Sequence, residues 1–214
     1  MNRSHSARPE LRGAINALVL VLGVLLFLGL ALGGCAVSKY NGIVSQEQTV
    51  EAEWTEIQNQ YQRRSELVPQ LVATVKGAAD FEKSTITEVT EARASVGQVN
   101  MGAAPTDQAE LDAYIAAQSK LSSSLSRLML VAENYPQLTA TSGFRDLQTQ
   151  IEGNENRIAV ARGRYIDAVK EFNTMIVVFP SNIIAGLLGK EKKPQLTTPA
   201  GSNEVPTIDF GGNE

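Results

Sequence analysis

Histidine and cysteine are nearly absent: the 214 residues hold one of each, His5 and Cys35. This excludes an intrachain disulfide, a zinc cluster of Cys and His ligands, and a Cys–His catalytic pair. A di-iron bundle site needs Glu-x-x-His pairs, and no histidine follows residue 5. Carboxylates alone remain as metal ligands, with no spacing that supports a site, so neither a metal nor a cofactor is expected. Aromatic residues are scarce at 6%, which argues against a sandwich or barrel and suits helical packing. An excess of positive charge is lacking too, since the net charge is −4. Setting aside residues 1–34, which carry Arg3, Arg8, Arg12 and Glu10, leaves 16 basic against 22 acidic groups, net −6. That balance argues against nucleic acid, whose binding depends on basic contacts to phosphate.

What is present is a long helical rhythm. Over residues 40–79 the apolar positions alternate by three and four, as on a helix buried along one seam. Ile43, Val50, Ile57, Leu71 and Ala78 form one line, and Tyr40, Trp54, Tyr61, Val68 and Val75 the other. Glu51, Glu56, Asn59, Gln62 and Glu66 fall on the watered side. A helix of that span is about 60 Å long and, with one apolar stripe, needs antiparallel partners. Pro69 removes a bond to the carbonyl of Ser65, but the register continues through it, so a kink is expected and not a break. Gly77 and Asp80 offer a stop and a new N-cap.

The partners follow in order. A second helix over 81–98 aligns Thr85, Val89, Ala92 and Val96, with Ile86 and Arg93 beside them. Residues 97–106 read as a loop, and Asp107 with Glu110 forms a capping pair for a third helix. That helix aligns Leu111, Tyr114, Leu121, Leu125, Leu128, Ala132 and Tyr135, and Pro136 ends it. A fourth helix over 141–179 carries Phe144, Ile151, Ile158, Tyr165 and Phe172 on one line, and Leu147, Ala161, Ala168 and Met175 on the other. The expected fold is all-α, an elongated antiparallel four-helix bundle over 36–180. Facing residues of the first and last long helices should then sum to about 219, which places Arg64 near Glu155 and Trp54 near Tyr165.

The N-terminus has the layout of a secretory leader. Arg3, Arg8 and Arg12 precede an apolar run over 14–32 and then Leu32-Gly33-Gly34-Cys35. LGGC resembles a bacterial lipobox, which would make Cys35 the site of lipidation and residues 1–35 the leader. The alternative is an uncleaved transmembrane anchor. In both cases the arginines hold the N-terminus inside and put the bulk of the chain outside the cytoplasm.

Three clusters are candidates for function. Arg63 and Arg64, with Glu152, Asn154 and Glu155 on the opposing helix, form the most polar group near the seam. It reads either as a register-fixing layer or as a site for an anionic headgroup or carboxylate. Over 181–193, Ile183, Ile184, Leu187 and Leu188 precede Lys190, Lys192 and Lys193. That segment is either a contact with membrane lipids or a plug at the base of the bundle. Ser119 and Lys120 are the remaining pair for nucleophilic chemistry, but neighbours on a helix point apart, so an enzyme is not expected. Residues 194–214 read as a disordered tail.

The segments YNGIVSQEQTVEAEWTEIQNQYQRRSELVPQLVATVKG, FEKSTITEVTEARASV, ENRIAVARGRYIDAVKEFN and FPSNIIAGLLG, with the later TIDF, resemble the LemA family of bacterial envelope proteins. The resemblance implies a membrane-attached antiparallel helical bundle without a common enzymatic activity. It carries over no catalytic residue. It also implies neighbours: some members occur with membrane proteases or TPM-domain proteins. A relative in magnetosome-forming bacteria is associated with membrane invagination. The expected role is a tethered scaffold or adaptor acting on an envelope protein. A self-assembling, homo-oligomeric membrane shaper is the alternative, and an envelope hydrolase the third reading.

Overall fold

The computed structural model describes residues 9–78, 81–99 and 102–196. These contain six helices, namely α1 (Pro9–Lys76), α2 (Lys83–Gln98), α3 (Gln108–Ala132), α4 (Pro136–Thr139), α5 (Ser142–Met175) and α6 (Ser181–Leu187). The four longer helices run up, down, up and down. α1 lies antiparallel to α5, and α2 antiparallel to α3, where Arg127 reaches Glu88 at 3.3 Å.

α1 is 68 residues long, about 100 Å at 1.5 Å per residue. It runs without interruption from the apolar N-terminal stretch into the bundle. Pro69 lies inside it on the exposed side, and the helix continues to Lys76. The carbonyl that the proline cannot serve, Ser65 O, accepts instead from Arg93 Nε of α2 at 3.0 Å. A freed acceptor thus becomes a tie between two helices.

The helix ends follow local chemistry. Asp107 accepts from the N–H groups of Ala109 and Glu110 at 2.6 and 3.2 Å and opens α3. Thr141 Oγ1 caps α5 by accepting from Phe144 N at 3.3 Å. α3 stops at Ala132, one turn short of the expected Tyr135. Pro136 does not simply end it: with Tyr135 held out of helical geometry, the proline becomes the first residue of α4. α5 ends at Met175 and not at 179, because Ile176, Val177 and Val178 are β-branched and Phe179 precedes a proline. α2 begins at Lys83; Asp80, the expected cap, lies outside the described residues.

The core follows the seams. Ile43, Val50, Trp54, Ile57, Tyr61, Val68, Leu71 and Val75 of α1 are buried, and Leu67 joins them. Tyr40 does not, being 46% exposed below the last turn of α5. The buried side chains divide into two apolar clusters. The lower contains α1 residues up to Tyr61 and α5 residues from Ile158 on, and the upper contains α1 residues from Leu67 and α5 residues up to Ile151.

Candidate functional site

Between the two clusters sits a polar layer built by three helices at one level. Arg64, 2% exposed, donates from Nη1 to Glu155 Oε1 at 2.9 Å. Its Nη2 donates to the backbone oxygen of Gln118 at 2.9 Å and to Gln118 Oε1 at 2.7 Å. The guanidinium carbon lies 5.0 Å from the centre of the Tyr61 ring. One turn below, Asn154 Nδ2 donates to Gln60 O at 3.1 Å and Gln60 Oε1 at 3.3 Å, and Gln60 Nε2 donates to Glu56. Arg64, Gln118 and Asn154 each occupy a seam position of their own helix, which is why three polar side chains meet inside.

The layer therefore contains Arg64, Asn154 and Glu155 of the expected set. Arg63 and Glu152 stand outside it: both are exposed, and Glu152 accepts from Gln148 on its own helix. They neighbour seam positions in sequence, but a helix turns about 100° per residue and carries them to the surface. Gln118 is the member that charge-based reasoning missed. Its place in the series Leu111, Tyr114, Gln118, Leu121 was the available signal.

Below the layer, Trp54 packs between Tyr114 (ring centroids 5.3 Å apart) and Tyr165 (5.4 Å), tilted by 54° and 51° to them, and Tyr61 meets Tyr114 edge-on at 5.7 Å. Burial raises the Tyr61 phenol against the opposing pull of Arg162 and Arg64. Burial, with Tyr61 adding to it, pushes Tyr114 up to about 12. Tyr165 is also raised, by burial and then by Glu51. The Tyr165 hydroxyl and Trp54 Nε1 have no hydrogen-bond partner among the described residues. A cavity of about 300 Å³, lined by Tyr61, Tyr114, Gln118 and Ser65, opens beside the layer.

The second candidate lies at the lower pole. Met175 Sδ sits 3.9 Å from where a Cβ on Gly42 would be, so α5 returns to the start of the bundle. α6 follows and closes with a Schellman turn. Gly189, at φ 61°, lets Lys190 N reach Ala185 O at 2.9 Å and its own N–H reach Gly186 O at 3.2 Å. The chain then climbs back up the bundle as an extended strap. Lys190 pairs with Glu47, and Lys193 Nζ with Glu51 Oε1 at 3.2 Å and over the Phe172 ring at 5.8 Å. Asn173 exchanges two hydrogen bonds with the Lys193 backbone, at 2.9 and 2.8 Å. Gln108 does the same with Gln195, both at 3.2 Å, and Leu196 is buried.

These contacts revise two expectations. Lys190 and Lys193 face acidic partners on α1 and are not free for headgroups; among the three lysines Lys192 is the exposed one. Residues 194–196, assigned to a disordered tail, are packed, because Asn173 and Gln108 supply the extended backbone with side-chain partners that composition does not reveal. The rest of the tail lies outside the described residues. α6 itself is divided: Ser181 and Ala185 are buried and Ile184 is half-buried, while Ile183, Leu187 and Leu188 are exposed.

Cys35 is exposed, in the first half of α1, and follows a run of exposed apolar residues. Ser119 and Lys120 lie on the exposed face of α3. Among the described residues no group of three or more His, Cys, Asp or Glu is placed to hold a metal ion.

Similarity to known proteins points the same way. The chain is 25% identical over 216 residues to each of two proteins of Paramagnetospirillum magneticum, magnetosome protein MamQ 2 and magnetosome protein MamQ 1, with 92% of this chain and 78% of each relative covered. It is 22% identical over 187 residues to magnetosome protein MamQ of Magnetospirillum gryphiswaldense, covering 79% of this chain and 69% of that one. The LemA family profile matches residues 53–210, well over half of the chain. With its long apolar N-terminal helix and its bundle of paired helices, this membrane-associated helical protein belongs to the LemA family.

Proposed function

We propose that the protein is a membrane-tethered scaffold or adaptor, standing on the extracytoplasmic side and working through contacts with another envelope protein. The observation that carries this reading is the polar layer. Arg64, Gln118 and Glu155 fix three long helices in one register, which suits a post that presents surfaces at set heights. The arginines ahead of the apolar run support the orientation. The lipobox-like LGGC, with Cys35 exposed at its end, supports acylation of that cysteine as the tether. Metabolic labelling with a fatty acid, lost in Cys35→Ser, tests the tether.

The role is tested by extracting the protein from cells within its native lipid and measuring the particle. An adaptor emerges as a monomer or small oligomer with one other chain in fixed ratio. A second reading, assembly of many copies that shape the bilayer, is favoured by the similarity to proteins named as magnetosome proteins. It requires large assemblies of the purified chain on lipid alone. A membrane protease or a TPM-domain protein fits the adaptor reading as the other chain.

A further inference from the structure

We propose that the lower pole of the bundle is a lipid-inserting foot: the apolar knuckle formed by Val177, Val178, Phe179, Ile183 and Leu187 lies in the surface of the bilayer that holds α1. This rests on the chain being membrane-tethered and adds a second, noncovalent attachment.

The pole closes in a way that leaves its greasiest side chains outside. Ile176, Ser181 and Ala185 seal the base, yet Phe179 is 78% and Leu187 84% exposed. Sealing therefore does not account for the knuckle. Exposed large apolar residues elsewhere on the bundle, Leu130, Val160 and Ile166, are scattered. Here five fall within eleven residues of one bent segment, a grouping that marks an interaction surface.

The occupant is set by what the knuckle adjoins. Between Arg12 and Lys39 the sequence of α1 carries no charged residue, and its exposed apolar side chains continue to Val37, a stretch long enough at 1.5 Å per residue to cross a hydrocarbon core about 30 Å thick. Lys39 and the half-exposed Tyr40 follow, residues suited to headgroup level. Gly42, against which α5 ends, is about 8 Å beyond Val37 along the axis. Residues 176–187 continue from that level, and the strap climbs away from it through Lys190 and Lys193. The knuckle thus hangs within the depth, about 5–10 Å, at which interfacial segments bury their apolar faces. A tether through acylated Cys35 places it at the same height. Because Lys190 and Lys193 are consumed by Glu47 and Glu51, the attachment rests on apolar insertion and not on a basic patch.

The test uses the full chain carrying Cys35→Ser, which keeps the apolar helix as tether, reconstituted in phosphatidylcholine vesicles. An environment-sensitive fluorophore is placed on Leu187→Cys or Phe179→Cys, and on Val160→Cys as the exposed reference on α5. Flotation of the vesicles reports tethering independently. The foot predicts that probes at 187 and 179 are quenched several-fold more than the probe at 160 by nitroxides high on the lipid chains, and are shielded from aqueous iodide. Equal iodide access at all three sites in floating protein overturns it. So does shielding from iodide without lipid quenching, which is the signature of a second copy covering the knuckle.

Discussion

Arg93 hydrogen-bonds the Ser65 carbonyl that Pro69 leaves unserved. The proline is thereby built into the packing of α2 on α1. Arg93→Ala should cost about 1 kcal/mol, the net worth of one such bond. In a Pro69→Ala background, where residue 69 regains an N–H for Ser65, the same change should cost little. Urea titrations of the four proteins close this cycle, and additive costs would show that the two residues are uncoupled.

The Arg64 layer is expected to specify register more than to stabilise. Replacing every member of a buried ionic group by apolar residues of similar volume is often neutral, and Glu155 is 37% exposed, which weakens the pair further. Arg64→Met alone strands two buried Gln118 oxygens and should cost about 1–3 kcal/mol, whereas Arg64→Met combined with Gln118→Leu should recover most of that loss. Glu155→Ala should lower stability by roughly 1–3 kcal/mol, because Arg64 then keeps Gln118 alone. Slippage is read by engineered cysteine pairs across α1 and α5. Pairs displaced by one heptad should cross-link in Arg64→Met and not in the wild type.

Alkaline pH should unfold the lower half first. Tyr114 titrates near 10.0 when unfolded and about 12 when folded. Above pH 10 the unfolded chain loses a proton that the folded one retains, so stability present below pH 10 is lost as pH rises towards 12. Tyr61 and Tyr165, also raised, act in the same sense. Tyr165→Phe should be nearly neutral at pH 7, since its hydroxyl has no partner, and should blunt the alkaline loss. Melting curves across that range, with phenolate absorbance as the second probe, decide it.

Gly189 is the hinge on which the strap turns. At φ 61° a side chain is strained by about 1–2 kcal/mol. Gly189→Ala should therefore loosen the strap while leaving α1 and α5 paired. Hydrogen exchange should rise at Lys190, Lys193 and Gln195, and not at Trp54 or Tyr165. Uniformly faster exchange would show instead that the strap supports the whole bundle.

Periodicity made the long pairing legible. Two seams of similar length, read antiparallel, brought Trp54 to Tyr165 and Arg64 to Glu155. Such inference works because a seam residue has one direction to point. It fails for Arg63 and Glu152, whose charge suggested membership of the layer but whose phase puts them in water. Gln118 carries no charge to mark it between Tyr114 and Leu121, although it holds a seam position of its own helix as Arg64 does. The strap had no such signal. Extended backbone over 190–196 has no repeat, and its partners, Asn173, Gln108, Glu47 and Glu51, lie far off in sequence.

The unbroken course of α1 has a mechanical consequence. From Val37 to Lys76 the helix rises about 60 Å, so tilting its lower part by about 10° swings the far pole by about 10 Å. No break in the helix between the apolar N-terminal stretch and the bundle absorbs that rotation. The tether proposed above, a chain cut ahead of Cys35 and acylated there, would exchange that stiff spindle for pliable acyl chains and uncouple the tilt of the post from any span of the bilayer.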